Sequence, residues 1–560
     1  MNLARRLCRT RFPAPLPGCP PVKIHSLAFL IGAALIGCQT SSQLEASADS
    51  ETERILRDKS ATSVDLRPQT VILPEVQAEP VAPESSPSQP PISPDAGSGA
   101  GAPALPTAPL RVLSLHEALL IAVTSGRDYM TRKESLYLTA LGLTGTRYEF
   151  GPRLTAALSY TFANADNSVP NHAAIASAGV AQKLPWGGDV ALDARQNFNN
   201  NGGAGTPRAF DSGVAIVLTQ PLLRGFGPEV ANEALTQAER STLYAIREFE
   251  LFREDYSIRV ASSYYDLVQQ KQTVANQRRN MQNLAEERRK AEALFQVGRK
   301  TELELLRAKR SELTSKNDLI EGEENLRLAL DRFRIFLGLP DDDRVDVQPE
   351  EPAFIAVNYN VNSAIQCALA NRLDFLNERD QLDDAARSLR ISKNGLLPEL
   401  NLNAGFDLNA DADPTFTNQA LDRESYSAAL TLRLPVDRLL DRNAWKSAQI
   451  GYRQALRSFQ LFEDEMVVAV QSTFRELERR KESVEIQREL ILSEEKNLRI
   501  AQILFEKGDN SNRDVVDAQQ SLLDARNSLI SEQVGYEIAR LGLLRDLGVL
   551  FIDENGAWKE

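Results

Sequence analysis

The side chains that could take part in chemistry are few. The chain of 560 residues has four cysteines and three histidines. Neither a CxxC pair nor a histidine cluster occurs, so the sequence does not favour a zinc site or a redox dithiol. No Ser/His/Asp set and no phosphate-binding loop occurs either. We therefore expect a protein that is not an enzyme and that carries no cofactor and no metal.

One cysteine has a setting that predicts a covalent modification. Cys38 ends the sequence Leu35-Ile-Gly-Cys, after the apolar stretch Leu27–Ile36 and an upstream region with five basic and no acidic residues. This order is typical of a bacterial lipoprotein signal, in which the cysteine is acylated and becomes the first residue after cleavage. We predict a signal peptide over residues 1–37 and a lipid anchor on Cys38. An ordinary secretory signal with an incidental cysteine is the alternative.

The overall charge and hydropathy exclude further classes. The formal net charge is −13, and removal of residues 1–37 would bring it to −18, which is unfavourable for binding nucleic acid. No run of about 18 apolar residues occurs, so a helical membrane span is not expected. Any membrane crossing is then expected to use strands.

The segment after the signal is predicted to be a linker. Eleven prolines lie between Pro68 and Pro109, among many Gly, Ser and Ala residues. Such a composition cannot bury enough apolar surface to form a core. We predict a disordered, proline-rich linker over residues 38–112.

Residues 113–550 contain two copies of one pattern. At a constant offset of 246, Ser114–Phe162 matches Asn360–Leu408. Matching pairs at an offset of 210 are Leu251 and Leu461, Phe252 and Phe462, Phe295 and Phe505, Gly298 and Gly508, and Gly338 and Gly548. The duplication predicts two repeats of one architecture.

Each repeat is predicted to hold a helix, strands, a long helix and a final helix. The capping box Ser114-x-x-Glu117 opens the first helix, and Gly227-Pro228 opens a helix with no further Pro or Gly before Gly298. That helix would be roughly 100 Å long at about 1.5 Å per residue. The first repeat (113–340) has predicted strands over 154–220, a long helix over 228–297 and a helix over 301–338. A connector covers 341–359. The second repeat (360–550) has predicted strands over 400–434, a long helix over 442–507 and a helix over 512–548. A tail covers 551–560.

Between the helices the apolar residues alternate with period two. Leu154, Leu158 and Phe162 alternate with Thr155 and Ser159, and both repeats show this pattern. Strands of about 9–11 residues with one apolar and one polar face suit a membrane barrel around a wet lumen, although a soluble sandwich would show the same alternation. The lipoprotein signal and the lack of a helical span favour the barrel.

The strand-rich segment is longer in the first repeat. Pro152 and Pro221 are 69 residues apart, whereas Pro398 and Pro435 are 37 apart. The difference of 32 residues predicts one additional hairpin, with Lys183-Leu-Pro-Trp-Gly-Gly188 as its turn.

Together these features resemble the TolC-like outer-membrane efflux proteins. The matching motifs are Gly151-Pro-Arg-Leu154, Leu397-Pro-Glu-Leu400, Gln220-Pro-Leu-Leu-Arg-Gly225, Phe505-x-x-Gly508 and Asp514-Val-Val-Asp517. The resemblance implies an α+β membrane protein whose homotrimer forms an outer-membrane β-barrel continuous with a long periplasmic α-helical barrel. It also implies a periplasmic adaptor protein and an inner-membrane transporter as partners, besides outer-membrane lipid. One copy has too few strands to enclose water, whereas three copies would supply 12 to 18.

The resemblance also implies roles for residues at the helical tips. Asp514 and Asp517 would ring a periplasmic aperture, although Asp514 is equally well explained as a helix cap. Phe505 and Asn510 stand where such proteins place an aromatic and an arginine that close the aperture, and Arg513 is a candidate to replace the missing arginine. The candidates for adaptor docking are Val297, Gly298, Arg299, Lys507, Gly508 and Asp509.

The sequence therefore predicts the passive outer-membrane exit duct of a tripartite efflux or type I secretion system. It would be anchored by lipid in the bacterial outer membrane, with an extensive periplasmic portion. The alternative is a lipid-anchored periplasmic coiled-coil protein without a pore. That alternative would not need alternating strands at equivalent points of both repeats.

Overall fold

The computed structural model describes residues 41–63, 110–163, 171–200, 209–349, 360–410, 421–507, 511–553 and 555–559. The predicted signal peptide and Cys38 lie outside the described residues, as do Gly508, Asp509 and Asn510. The chain divides into two compact units. The strand unit comprises Met1–Glu51, Gly142–Ala238 and Ser388–Ser447, and the helical unit comprises Thr52–Leu141, Glu239–Arg387 and Ala448–Glu560.

The described helices include two that are far longer than the others. They are α1 (Ser41–Ser63), α2 (Leu115–Ser125), α3 (Arg127–Phe150), α4 (Pro228–Ala231), α5 (Glu233–Gln296), α6 (Glu302–Phe336), α7 (Val361–Asn371), α8 (Leu373–Asn394), α9 (Leu439–Lys507) and α10 (Asn512–Asp546). None of these described helices combines the length and the apolar content that crossing a membrane would require.

The described strands form three sheets. They are β1 (Arg111–Leu113), β2 (Arg153–Ala163), β3 (Asn171–Lys183), β4 (Asp189–Asn200), β5 (Ala209–Pro221), β6 (Val345–Val347), β7 (Glu399–Ala410), β8 (Leu421–Arg433), β9 (Phe551–Ile552) and β10 (Trp558–Lys559). The six long strands form one antiparallel sheet in the order β2-β3-β4-β5-β7-β8. Because β5 pairs with β7, this sheet joins strands of both repeats.

The segment between β3 and β4 is a tight turn. The Leu184 N–H donates to the Gly188 carbonyl over 2.6 Å, and the Gly187 N–H donates to the Leu184 carbonyl over 2.9 Å. Gly187 has φ of 94°, a left-handed conformation that glycine adopts without a Cβ clash. The glycines of the predicted turn therefore have a direct conformational use.

In the helical unit, each repeat has a helix break that was not predicted. One helix was expected before the strands of each repeat, but the helix of the first repeat is interrupted at Gly126 and that of the second at Arg372. These two positions are equivalent at the offset of 246. The reason is a close approach by the end of another helix, because a Cβ on Gly338 would collide with the Ser125 carbonyl and one on Gly548 would lie 2.9 Å from the Asn371 carbonyl carbon.

Buried tyrosines connect the helices of this unit to neighbouring backbone. The Tyr256 hydroxyl donates to the Ala122 carbonyl over 3.3 Å, and burial raises the pKa of Tyr256 to about 12. The Tyr264 hydroxyl lies 3.3 Å from the Leu113 carbonyl oxygen and 3.1 Å from that of Gln348. Each ring therefore fills core volume while its hydroxyl remains hydrogen-bonded.

Ion pairs with little solvent exposure join α5 to α8. Arg247 Nη1 lies 2.6 Å from Asp380 Oδ2, and the Tyr244 hydroxyl donates to Asp384 Oδ2 over 2.7 Å. Burial and the hydrogen bond to Asp384 raise the pKa of Tyr244. Removal of one partner would leave a charge without compensation at a partly buried position.

The predicted linker contains a helix, which corrects the expectation of disorder over its first part. In α1, Ile55 and Leu56 are 1% and 2% exposed, and Lys59 Nζ lies 3.4 Å from Glu239 Oε2. The eleven prolines that suggested disorder begin only at Pro68. Residues 41–63 contain none of them, and Ile55 and Leu56 are buried in the helical unit.

Short strands cover two segments for which no secondary structure was predicted. In the predicted connector, β6 pairs in parallel with β1, and Lys271 Nζ lies 2.7 Å from Asp346 Oδ2. In the predicted tail, β9 pairs with β10, and Arg253 donates to the carbonyls of Ile552 and Asp553. Both segments are therefore integral to the helical unit.

The helix breaks generate a prediction about Gly338. Gly338 has φ of 76°, where an alanine costs about 1–2 kcal/mol, and the new Cβ would also collide with the Ser125 carbonyl. Gly338→Ala should therefore lower the free energy of unfolding by at least about 2 kcal/mol, measured by denaturant or thermal unfolding in detergent. The matched control is Gly142→Ala, because a Cβ there meets no atom within 4 Å and the residue lies within α3. That variant should be neutral or stabilised by up to about 1 kcal/mol. Equal effects of the two substitutions would contradict the packing role of Gly338.

Candidate functional site

The turn between α5 and α6 contains three of the predicted docking residues. Gly298 has φ of 72°, and its N–H donates to the Phe295 carbonyl over 2.9 Å. The Arg299 N–H donates to the Leu294 carbonyl over 2.9 Å, so the last carbonyls of α5 are satisfied in the manner of a glycine-terminated helix. Val297 is 68% exposed, and Arg299 is exposed as well.

The equivalent turn between α9 and α10 is described only at its two sides. Lys507 is exposed at the end of α9. At the start of α10, the backbone N–H and the hydroxyl of Ser511 donate to Asp514 Oδ2 over 2.9 and 2.8 Å. These hydrogen bonds hold the pKa of Asp514 below its usual range, and the Ser511 hydroxyl has the largest effect. Asp514 is thus a charged helix cap that is also solvent-exposed.

Asp517 and Arg513 form an ion pair one helical turn apart. Arg513 Nε lies 3.4 Å from Asp517 Oδ2, and the two side chains are 77% and 67% exposed. A pair this exposed contributes little to stability. It does reduce the local charge, since residues 513–517 then combine two carboxylates with one guanidinium.

Phe505, the aromatic expected to close the aperture, packs inside the helices. Its side chain is 3% exposed in a cluster with Ala501, Val515 and Ala518. Lys300 Nζ lies 4.5 Å from the centroid of the Phe505 ring, within the range of a cation–π contact. A contact that closes the aperture therefore stays a prediction for this ring, whereas its packing role is observed.

The first repeat places different side chains at the equivalent positions. The Thr301 hydroxyl and the Glu304 carboxylate form a capping box, and Lys300 Nζ lies 3.6 Å from Glu304 Oε1. Arg307 replaces the second carboxylate. The start of α6 also carries Glu302, so residues 301–307 and 511–517 have the same formal charge with the carboxylates at different positions.

The six-stranded sheet has two chemically different faces. The register pairs even-numbered positions with even-numbered ones from β2 to β8, up to a bulge at Asn409/Ala410. One face therefore carries Leu154, Leu158, Val180, Leu192, Ile216, Leu218, Phe406, Tyr426, Leu430 and Leu432. The other carries Thr155, Ser177, Asp193, Arg195, Asn197, Thr219, Asn403, Asp407 and Ser425. The apolar face is exposed over β2 and β8, where Leu158 is 82% and Tyr426 is 87% exposed.

Aromatic pairs lie at both ends of the strands. Next to the β3–β4 turn, Trp186 stacks on Phe226 with ring centroids 6.0 Å apart. Toward the opposite end, Phe198 of β4 and Phe210 of β5 lie 4.9 Å apart. Aromatic residues at both ends of an apolar strand surface are typical of the two interfaces of a membrane.

Sequence reasoning missed some of the residues that build these surfaces. Lys300 was not identified, because only the packed turns bring it over Phe505. The ion pair of Arg513 with Asp517 could have been found from their spacing of four residues on a helix. Within the described ranges, no group of three or more His, Cys, Asp or Glu side chains is placed to hold a metal ion.

Comparison with known proteins gives a family domain and a shared fold. Residues 364–549 match the family model described as outer membrane efflux protein. No protein of curated function matches the chain by sequence. Among solved structures, the outer membrane protein VceC of Vibrio cholerae has a TM-score of 0.59 at 16% identity, covering 78% of this chain and 96% of its own.

Two further solved structures are similar in the same way. CusC, whose structures concern transmembrane channel formation, has a TM-score of 0.58 at 14% identity, with 78% of this chain and 92% of its own covered. The open state of the MtrE outer membrane channel of Neisseria gonorrhoeae has a TM-score of 0.56 at 11% identity, with 78% and 89% covered. These similarities establish the fold.

The packing of Phe505 generates a prediction, and the duplication supplies a control residue at the equivalent position. Phe505→Ala should remove a buried ring and lower the free energy of unfolding by about 3–4 kcal/mol. Phe295→Ala is the matched control, since Phe295 occupies the equivalent position of the first repeat but is 38% exposed. It should cost less than about 1 kcal/mol. Hydrogen exchange should show faster opening of the α9 and α10 ends only in Phe505→Ala. Similar exchange in both variants would contradict a packing role for Phe505.

Proposed function

Because residues 364–549 are an outer membrane efflux protein domain, within a chain that has the fold of outer-membrane efflux channels, we propose that this protein is a passive exit duct. It conducts substrates from an inner-membrane pump and a periplasmic adaptor to the exterior, in a tripartite efflux or type I secretion system. The observation that carries this proposal is the six-stranded sheet with one apolar and one polar face.

The sheet suits a wall between lipid and water. Its apolar face would contact the hydrocarbon of the outer membrane, and its polar face would line a wet lumen. The strands of 11–13 residues are long enough to cross when tilted. A coiled-coil protein without a pore has no use for such a sheet, so the sheet favours the duct over that alternative.

The edges of the sheet support assembly of several copies. In the described sheet, β2 and β8 each have a neighbour on one side only. Unpaired N–H and C=O groups are costly in lipid, so only a closed ring of strands is stable there. Pairing of β8 of one copy with β2 of the next closes the ring in a homotrimer.

Exposed apolar stripes on the long helices support the same assembly. On α6, Leu306, Leu313 and Ile320 recur every seven residues and are 55%, 57% and 54% exposed. On α9, Leu461 and Val468 are also spaced by seven and are 57% and 59% exposed. Such seams are typical of helices that pack in pairs, and here a neighbouring copy covers them to form a periplasmic helical barrel.

The two turns that join the long helices to their successors are the candidate docking surface for the adaptor. Val297, Arg299 and Lys507 are exposed there. The predicted contributions of Gly508 and Asp509 remain part of this proposal. Exposed apolar and basic side chains at the same turns would offer the adaptor both packing and charge contacts.

The charge near the start of α10 would set ion preference at the aperture. Three copies bring three Asp514 and three Asp517 carboxylates, partly offset by three Arg513 guanidiniums. The resulting net negative ring favours cations, because restricted water strengthens its potential. Asn510 adds no charge to this ring.

Localisation follows from the lipoprotein signal together with the sheet. Acyl chains on Cys38 would add an anchor to the outer membrane next to the one that the sheet provides. The helix α1 begins three residues after Cys38 and packs within the chain, so anchor and body are closely connected in sequence.

The exposed stripe of α6 predicts how assembly can be weakened. Ile320→Lys should reduce the trimer fraction at least about tenfold, because it buries a charge in an apolar contact. Thr314→Lys is the matched control, since Thr314 is exposed on the same helix outside the stripe. Native mass measurement in detergent gives the trimer fraction of both variants. A protein that is monomeric without any substitution would overturn the proposed function.

The aspartates and the arginine of α10 predict opposite changes in ion selectivity. Asp517→Asn should lower the cation preference roughly twofold, and Arg513→Gln should raise it by a similar factor, since each changes the ring by three charges. Asp514→Asn should also lower the cation preference, but by less than Asp517→Asn does. Reversal potentials of single channels in planar bilayers measure the preference. Unchanged selectivity in both Asp517→Asn and Arg513→Gln would place the narrowest point of the duct elsewhere.

The lipid anchor can be tested independently of the channel. Metabolic labelling with palmitate should mark the natural protein and leave Cys38→Ser unlabelled. The variant should still assemble, because the sheet itself provides insertion. Equal labelling of the two proteins would contradict acylation at Cys38.

A further inference from the structure

The hairpin formed by β3 and β4 has no counterpart in the second repeat. The second repeat contributes β7 and β8, whereas the first contributes β2, β3, β4 and β5. The hairpin accounts for the 32 additional residues between the prolines that bound the strands of the first repeat. Two strands from each repeat would give four per copy, and the hairpin raises this number to six.

The additional strands lie within the sheet and are paired on both sides. β3 pairs with β2 from Arg153 opposite Ala181 to Ala163 opposite Asn171, and β4 pairs with β5 over a similar length. A hairpin that projected into solvent or folded over the sheet would leave β2 paired directly with β5. The observed order keeps β2 and β5 apart by two strands.

The apolar and polar residues of the hairpin lie on the same faces as those of the other strands. In the row that contains Leu154, the neighbours are Val180, Leu192 and Ile216, all apolar. On the polar face, Gly179 of β3 lies next to the Asp193 carboxylate of β4. A Cβ on Gly179 would collide with that carboxylate. The hairpin thus continues both the apolar and the polar surface of the sheet.

The turn of the hairpin is hydrogen-bonded to the segment that connects β5 to the helices after it. The Trp186 carbonyl accepts hydrogen bonds from the Gly227 N–H and from Gln220 Nε2, each over 3.2 Å. Asn232 Nδ2 donates to the Pro185 carbonyl over 3.4 Å. These contacts hold the hairpin at the same end of the sheet at which β5 continues into α4.

We propose that the hairpin makes the exit of this duct an 18-stranded barrel, wide enough for large hydrophilic cargo. This inference rests on the proposed function, since three copies of six strands must close into one ring. With strands about 4.8 Å apart and tilted by about 40°, 18 strands give a barrel about 36 Å across, against about 24 Å for 12. Barrels of 16–18 strands enclose an aqueous channel.

The lumen side of the hairpin supports a hydrated passage. Apart from Ile175, its residues are small or polar, and most of the side chains are short, so they fill little of the added width. These residues are Ala173, Ser177, Gly179, Ala181, Ala191, Asp193, Arg195 and Asn197. The substrate class that such an exit suits is bulky and water-soluble, with size selection left to the aperture at the helical turns.

Spin-label distances between copies test the strand number. Asn403 lies on the polar face of β7, outside the hairpin, and Asn403→Cys in a Cys367→Ser background can carry the label. The Asn403 backbones of its three copies should be about 31 Å apart in an 18-stranded barrel and about 21 Å apart in a 12-stranded one. Labels that point into the lumen shorten both distances by a similar amount. Pulsed dipolar spectroscopy resolves this difference.

Deletion of residues 171–200 is the complementary variant, because it removes the hairpin and leaves β2 free to pair with β5. Its label distance should fall by about 10 Å relative to the full chain. Polyethylene glycols of graded size, added at the outer side, should be excluded at a smaller size. Deletion of residues 202–206 is the control and should change neither readout, since these residues belong to none of the described strands.

The outcomes separate this inference from the proposed function. A full chain that is trimeric with label distances that fit backbones about 21 Å apart would overturn the 18-stranded exit and leave the duct intact. A full chain that does not form trimers would overturn the duct itself. If the deletion variant fails to assemble, the distance in the full chain still decides the strand number.

Discussion

The unpaired edges of the six-stranded sheet impose the requirement on which the other features of this protein depend. A strand edge in hydrocarbon leaves N–H and C=O groups without partners, each at a cost of several kcal/mol. The exposed apolar face of β2 and β8 is equally unsuited to water. The proposed ring of copies satisfies both conditions, because every edge would be paired and every apolar face would meet lipid. In the same proposal, the exposed stripes of α6 and α9 would be covered by neighbouring copies.

The duplication lets one chain contribute twice to that ring, and the structure shows how each repeat keeps the same local geometry. Gly338 and Gly548 end their helices at φ of 76° and 67°, and each abuts the break between two helices of its own repeat. The contact requires a residue without a Cβ at the same place in both halves. The equivalence of these four positions is stronger evidence for duplication than sequence similarity alone, because it preserves a packing contact.

The elements that could be predicted from the sequence are those determined by local chemistry. Alternation marked the strands, and the capping box at Ser114 marked a helix start, since each depends on residues a few positions apart. The breaks at Gly126 and Arg372 could not be predicted, because distant helix ends impose them. The helix α1 was missed for a different reason, since the proline-rich composition after Pro68 was extended to residues that contain no proline.

At the helical turns the predicted site residues stay predictions, and the structure adds how the side chains around them pack. The motif places Phe505 where similar proteins have an aperture-closing aromatic, whereas here its ring is buried with Ala501, Val515 and Ala518, and Lys300 of the other repeat lies over it. The cation–π contact and the surrounding apolar cluster join the end of α9 to the turn after α5. Movement of the second-repeat turn away from the first would separate Lys300 from Phe505 and expose the ring. Side chains of both repeats therefore meet at this end, and Val515 and Ala518 connect the packing of Phe505 to the helix that carries the charged residues of α10.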